Sequence, residues 1–541
     1  MRLTRLLRVL PFLPGLALAA ACGGSSNGNG NAASDAGADA RGFDASAGQD
    51  SGAPVDASSH DSGATLDGGG ADTGLVVADG GACPGVNVPG AAATHGNPPN
   101  VSNLGGPVLH SPRIVTFTFA DTPNAAALQA FGASIASSAW FAQTMGDYTT
   151  TSAPPLGLSV ALTANGDPTY VDDGDGLFAG DAGADAAASA GTDLNAFINT
   201  SIANAVAATT IPAPDGNTVY AFYFPPSSTI TGFVGQSCQA YGGYHFNQVY
   251  GDGTTPIYYA IIPDCAQGTA YELQAATLAA SHEIDEASSD PAPNTGWSLD
   301  VTPYPEDAGT STVEFRNDPW LSLGYGEIGD NCEGTDWTLD GGTLVQRIWS
   351  NTSASAGHDP CVPVPSGESY FNASPDKAVY VASVGDTFTI DVTAFTDAPR
   401  ASWQLDAVDY TQQLEAQAGL TTPYLKLEWV GGVVRSDGIA SVTCMNNGMH
   451  AQLQVTLLAD PAALQAAGLV LTWPQALGAI YSLDLSQQTA AEPGQDTAAY
   501  TWPFEVVTPA IAAQIGLGSS GVSDAIKPRK RFWAPVPRFG R

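Results

Sequence analysis

Arg113-Ile-Val-Thr-Phe-Thr-Phe119 alternates as a β-strand does, with Val115, Phe117 and Phe119 on one side. Thr122-Pro123 follows, an N-cap and a first-turn proline, and predicts a helix through Leu128, Phe131 and Ile135 to about Trp140. The two periods go on trading places. Leu156–Thr163 reads as a strand, and Leu194, Phe197, Ile198, Ile202 and Val206 fall at helical spacing. Val219–Phe224 and Ile257–Ile262 are further strands. Strand and helix in turn predict an α/β layered domain, a mixed sheet with helices, over residues 97–365. Its last part, from Pro291 to Cys361, is loop-rich in aspartate, glycine and tryptophan.

Beyond residue 365 the period is two. Ala378–Val381, Phe388–Val392, Tyr424–Trp429, Leu453–Leu457, Leu469–Trp473 and Tyr500–Val507 are short alternating runs. Turn signals such as Val384-Gly385-Asp386 and Asn446-Asn447-Gly448 separate them. They predict an all-β, immunoglobulin-like sandwich domain over residues 366–510. In residues 511–541 the Lys527-Pro-Arg-Lys-Arg531 cluster lies past the last strand and reads as a solvated, disordered basic tail.

The N-terminus carries an address. Arg2, Arg5 and Arg8 precede a short apolar run, Val9 to Ala21, broken by Pro11, Pro14 and Gly15. It is too short to span a bilayer as a helix and reads as a secretory signal over residues 1–21. Its end, Leu18-Ala19-Ala20-Ala21-Cys22, resembles the bacterial lipobox, which implies cleavage before Cys22 and a lipid on it. Alanine replaces the usual leucine at Ala19, so an ordinary signal peptide is the alternative. Residues 22–96 read as a disordered tether: from Cys22 to Gly81 nine aspartates stand against one arginine, with almost nothing to bury. The expected location is the bacterial cell envelope, as an outer-membrane or cell-surface lipoprotein.

The chain has 541 residues, with 17 Lys and Arg against 53 Asp and Glu. Without residues 1–21 the count is 14 against 53, a net of −39. Such a surface argues against nucleic acid and against electrostatic docking on anionic lipid. The expected partners are the membrane, through lipid on Cys22, and an extracellular protein or polysaccharide. Six cysteines follow Cys22, none with Cys-x-x-Cys spacing, and an even count in a secreted chain favours disulfides. Proximity pairs Cys238 with Cys265 and Cys332 with Cys361, leaving Cys83 and Cys444.

The chemistry concentrates in Thr277-Leu-Ala-Ala-Ser-His-Glu-Ile-Asp-Glu-Ala-Ser-Ser-Asp-Pro291, which reads as a helix stopped by Asp290-Pro291. His282 and Glu286, four apart, share one helix face. That face continues back through Leu278 and Ala275, which are apolar, so it is expected to look inward. A buried carboxylate is costly unless something positive meets it, and a divalent metal is the expected partner. The zinc-peptidase motif His-Glu-x-x-His supplies two ligands four apart and a glutamate that takes the water's proton. Here Glu286 stands at the second histidine, and Glu283 is the expected catalytic base.

Catalytic zinc keeps three protein ligands. The third is sought in Gly326-Glu327-Ile328-Gly329-Asp330-Asn331-Cys332, through Glu327 or Asp330, or in His245, read as part of a loop pinned by Cys238. The bland reading makes His282 a core histidine and leaves Asp285 and Glu286 facing water. Acids at a helix C-terminus oppose its dipole, which favours a functional role. Calcium is the alternative to zinc in so oxygen-rich a chain. Tyr170-Val-Asp-Asp-Gly-Asp-Gly176 lacks the EF-hand register, however, and reads as a solvated turn. A serine hydrolase has little support without a Gly-x-Ser-x-Gly elbow.

Gly105-Gly106-Pro107-Val108-Leu109 before a strand resembles the opening of the plant EXORDIUM, or phosphate-induced, proteins and their bacterial relatives. Gly243-Tyr244-His245, Pro263-Asp264-Cys265, Ser281-His282-Glu283 and Asp290-Pro291 resemble segments of the bacterial branch, in that order. So do Glu327-Ile328-Gly329-Asp330-Asn331-Cys332 and Trp349-Ser350-Asn351. The resemblance covers about residues 100–365 and implies an extracellular protein. The plant branch is associated with growth signalling and lacks the His-Glu pair, so any metal chemistry would belong to the bacterial branch. The combined expectation is a secreted, surface-anchored lipoprotein acting as a zinc-dependent, peptidase-like hydrolase. The alternative is a non-catalytic extracellular binding or adhesion protein whose metal is structural or absent.

Overall fold

The computed structural model describes residues 93–149, 157–172, 191–232, 235–239, 241–293, 295–299, 326–333, 335–339, 342–400, 402–409, 423–434, 439–459, 477–483 and 501–514. The signal, the lipobox, Cys83, the Asp173–Gly176 turn, the Leu469–Trp473 strand and the basic cluster lie outside the described residues.

The central sheet has five strands, β1 (Arg113–Thr118), β2 (Leu158–Ala161), β3 (Thr218–Phe224), β4 (Tyr244–Val249) and β5 (Pro256–Pro263). They lie in the order β2-β1-β3-β5-β4. The first four in that order are parallel, and β4 returns antiparallel along the edge of β5. Helices α1 (Ala125–Ser134), α2 (Ala139–Thr144), α3 (Leu194–Ala207) and α4 (Glu272–Ser289) accompany it. Alternate strand residues serve opposite layers. Ile114, Val219, Ala221 and Ala260 join α1 and α4, whereas Val115, Phe117, Phe222 and Ile261 join α3. Covering both faces explains the unbroken apolar run Tyr220-Ala-Phe-Tyr-Phe224 in β3. This is the mixed α/β region that the alternating periods predict.

The helix expected from Thr122 to about Trp140 is two helices instead. Thr122 does not cap: its hydroxyl accepts from the Phe119 N–H and donates to the Tyr223 carbonyl, and left-handed Asn124 precedes α1. A 3-10 turn, Ile135–Ser137, ends the first helix, and Ser138 caps α2 by accepting the Phe141 N–H. Against the sheet, α1 lies so close that a Cβ on Gly132 would stand 1.8 Å from Thr116 Oγ1.

A short strand, β6 (Leu344–Gln346), packs on α4, and the short helix α5 (Asn351–Ala356) follows it. The C-terminal region is β-rich. One sheet joins β7 (Phe371–Pro375), β9 (Thr387–Thr396), β14 (His450–Leu457) and β11 (Leu425–Trp429), all antiparallel. The other joins β8 (Val379–Val381), β16 (Thr501–Val507), β15 (Leu477–Leu483), β10 (Trp403–Asp409), β13 (Ala440–Met445) and β12 (Val433–Val434) in that order. Strands β7, β10, β12, β13 and β15 were not among those expected, although Trp403, Leu405 and Ala407 in β10 alternate and are buried. Helix α6 (Pro509–Gln514) carries the fold past residue 510.

One buried cluster runs from the α1 and α4 face into these C-terminal strands. Residues 93–96, placed in the tether by composition, lie on the same body. The His95 ring stacks on Phe395 at 3.6 Å between centroids, and the Ala93 N–H donates to Asn447 Oδ1 at 2.9 Å. Cys238–Cys265 and Cys332–Cys361 are bridged as proximity suggested, and Cys444 is also disulfide-bonded. Such bridges fit an oxidising, extracytoplasmic compartment.

Arg347 and Asp359, each 2% exposed at the side chain, form a buried ion pair, and Arg347 also donates to the Cys361 carbonyl. Removing one member leaves an uncompensated buried charge. Arg347→Ala is therefore expected to cost about 3–5 kcal/mol, read from the shift of the urea unfolding midpoint.

Candidate metal centre

In the first half of α4 the expected face through Ala275 and Leu278 is only half-buried, and Leu273, Ala276 and Ala280 pack on the core instead. Burial is nearly complete from Glu283 to Asp290. There the helix lies over β5 and β4 and is also packed by β6. Glu286 is 2% exposed and Asp285 0%, which overturns the reading of two acids facing water. The last turn of the helix holds no basic residue. These acids therefore stand against the negative end of the helix dipole, and within their own element only His282, one turn before Glu286, answers them. Asp290 ends the helix, as Asp290-Pro291 predicts.

His282 is held from behind. Gln346 Nε2 donates to the Gly329 carbonyl at 2.7 Å, which fixes the amide and turns Oε1 toward His282 Nδ1 at 3.0 Å. That oxygen can only accept, so Nδ1 carries the proton and Nε2 presents a lone pair. Nε2 stands 3.0 Å from Glu286 Oε2 and 3.6 Å from Asp330 Oδ1. The other oxygen of Glu286, Oε1, accepts from the Gly329 and Asp330 N–H groups at 3.0 and 3.1 Å.

His245 repeats the arrangement from the opposite side. It lies on the edge strand β4, not in a loop, opposite Ala260 of β5. Its Nε2 meets the Asp290 carbonyl at 3.0 Å, so the proton sits there and Nδ1 faces the cluster. Nδ1 lies 3.4 Å from Glu283 Oε2, 3.5 Å from Glu286 Oε2 and 3.8 Å from Glu327 Oε2.

Two triads result, His245–Glu283–Glu286 and His282–Glu286–Asp330, each with its ligand atoms within 4.8 Å of one another. All the candidate residues named from sequence therefore gather in one place. Glu327 reaches His245, and Asp330 reaches His282.

A lone pair aimed at carboxylate oxygens is repulsive unless a proton or a cation lies between them. In the metal-free chain protons fill that role. Burial opposes charge on both rings, but Glu286 and Glu283 raise the His282 pKa well above its usual range, and Glu327, Glu283 and Glu286 do the same for His245. Burial also opposes charge on Glu286, yet the two histidines hold it far below the usual carboxylate range. Asp330 is pushed up to about 8 by burial and by Glu286 beside it, and burial raises Glu327 and Asp285 well up.

A metal fits the same space. Ligands about 2.0–2.2 Å from a tetrahedral ion lie about 3.3–3.5 Å from each other. The imidazole–carboxylate separations of 3.0–3.8 Å bracket that edge. Imidazole suits first-row transition ions such as zinc, and the carboxylates alone would equally suit calcium.

Sequence reading missed the groups that aim the ligands. Gln346 lies 64 residues from His282, and the acceptor for His245 is a backbone carbonyl. No spacing announces either. Gly329 and Gly243 had a readable signal in being glycines beside candidate ligands. A Cβ on Gly329 would stand 2.7 Å from Glu286 Oε1, and one on Gly243 would stand 2.7 Å from Glu283 Oε1.

No family model and no curated protein matches the chain. Two solved structures show a slight likeness. A conjugative transposon lipoprotein from Bacteroides eggerthii is 10% identical, with a TM-score of 0.15 over 25% of this chain and 95% of its own. The human F-spondin reeler domain is 11% identical, with a TM-score of 0.16 over 25% of this chain and 91% of its own. Neither likeness is strong enough to bear on fold or function.

The geometry makes two predictions. Gly329→Ala forces a methyl group against Glu286 and His282 and is expected to weaken metal binding about 10–100-fold by calorimetric titration, the usual effect of disturbing ligand orientation. Within the metal-free cluster Glu286 alone binds protons less tightly folded than unfolded, whereas Asp330, Glu327, Glu283, Asp285, His245 and His282 all bind them more tightly. Their stabilisation is complete below the unfolded pKa values and is lost as pH rises through the folded ones. The thermal midpoint of chelator-treated protein should therefore fall from about pH 5 to about pH 9, and added zinc should flatten that slope.

Proposed function

We propose that the chain is a zinc-dependent, peptidase-like hydrolase, carried on the bacterial cell surface by a lipid on Cys22. The observation that supports this most is the pair of imidazoles, each held by an outside carbonyl and aimed at buried carboxylates. Two disulfides fit the extracytoplasmic setting. The ordered segments from Gly105 to Asn351 support kinship with the bacterial relatives of the EXORDIUM proteins. We further take the two C-terminal sheets as an immunoglobulin-like sandwich that presents the centre to an extracellular protein or polysaccharide.

His282, Glu286 and Asp330 would hold the ion, three protein ligands being the number that catalytic zinc keeps. Zinc held by these residues would supply Lewis acidity and a lowered pKa for water. Gln346 keeps the His282 lone pair on target, and the Gly329 and Asp330 N–H groups keep Glu286 Oε2 free to bind. Glu283, one residue along the helix and 5% exposed, accepts a proton from the attacking water and returns it to the leaving amine.

The test is turnover of a fluorogenic peptide pool by the zinc-loaded full chain. Glu283→Gln should lose at least about 100-fold in turnover while the ion at His282, Glu286 and Asp330 stays. His282→Ala should lose both. Full turnover in Glu283→Gln removes its assignment as base. Inactivity of the wild-type chain, with calcium or no metal bound, favours the binding or adhesion reading.

A further inference from the structure

The acids around the centre outnumber what one ion can neutralise. Glu283, Glu286, Glu327 and Asp330 all lie within 4.0 Å of one of the two imidazoles. Among the described residues no lysine or arginine forms an ion pair with any of them. With all four ionised, as ligation requires, one divalent cation leaves two negative charges in the cluster, and two cations leave none.

Charge alone would decide nothing, but the imidazoles supply an independent observation. His245 and His282 fall in separate triads. Each ring has one nitrogen pinned by an oxygen outside the cluster, Asp290 O or Gln346 Oε1, and its other nitrogen turned in. A single ion at His282 leaves His245 Nδ1 facing Glu283, Glu286 and Glu327, a second set of donor atoms that only a proton would then bridge. Glu286 Oε2 is common to both sets, 3.0 Å from His282 Nε2 and 3.5 Å from His245 Nδ1. Its partner oxygen is taken by backbone N–H groups. Two ions bound through one oxygen at about 2.1 Å each lie no more than about 4.2 Å apart, the spacing of two-metal hydrolytic centres.

We infer that the centre takes two divalent transition-metal ions bridged by Glu286 Oε2, one held with His282 and Asp330, the other with His245 and Glu283. Glu327, 3.8 Å from His245 Nδ1, stands beside the second ion. The inference rests on the metal-centre reading and deepens it, giving Glu283 a donor's task beside its part in proton transfer.

Metal stoichiometry separates the two ideas. The full chain is stripped with chelator, reloaded with zinc or manganese, desalted and analysed by plasma mass spectrometry. Two equivalents are expected in the wild type and one in His245→Ala, with Asp330→Ala losing the other. Manganese-loaded wild type should give the spin resonance spectrum of an exchange-coupled pair, and His245→Gln, a milder change, that of isolated ions. One equivalent with an isolated-ion spectrum in the wild type overturns the second site and leaves the first. No bound metal overturns both.

Discussion

A carboxylate buried on the wall of a helix is tolerable only if a positive charge reaches it, and α4 buries Glu283 and Glu286 within one turn. The rest of the centre answers that constraint. The helix dipole points the wrong way and its last turn is free of basic residues, so from its own length the helix offers only His282, 3.0 Å from Glu286. The rest of the compensation comes from His245 on the edge of the sheet and from the N–H groups of Gly329 and Asp330. Three segments distant in sequence are thereby held to one another through a single glutamate side chain.

The segments around that side chain are tied down at several points. The Gly326–Cys332 segment is anchored by the Cys332–Cys361 bridge, by buried Ile328 and by the Trp349 N–H donating to the Ile328 carbonyl at 3.0 Å. Strand β6 is tied to α4 through the Gln346 N–H on Ser281 Oγ and to α2 through Trp140 Nε1 on the Gln346 carbonyl. Ligands placed this way need little reorganisation to bind an ion, which separates a site from a chance meeting of acids. Asp285, its pKa raised well above the usual carboxylate range by burial, meets Thr144 of α2 and belongs to neither triad.

Much of this was legible in the chain. The strand–helix alternation from Arg113 onward reports local periodicity, and periodicity is a property of neighbours, so the α/β region was readable. The break at Ser138 was not, because a serine that caps one helix looks, from sequence, like a tolerated residue within another. The half-buried state of Ala275 and Leu278 escaped for a related reason: which length of an amphipathic helix is covered depends on elements hundreds of atoms away.

Composition and spacing by themselves determined an acidic, cysteine-paired, layered protein with a His-Glu-x-x-Glu helix, since each of those follows from residue types and short intervals. Only the tertiary structure decided that His245 lies on a strand facing the same glutamate as His282, that Gln346 and the Asp290 carbonyl orient the two rings, and that the acids form two triads with one member in common. Hydrogen bonds spanning 64 and 45 residues set those relations, and contacts of that range are created by the packing of layers, not by the chain's local pattern.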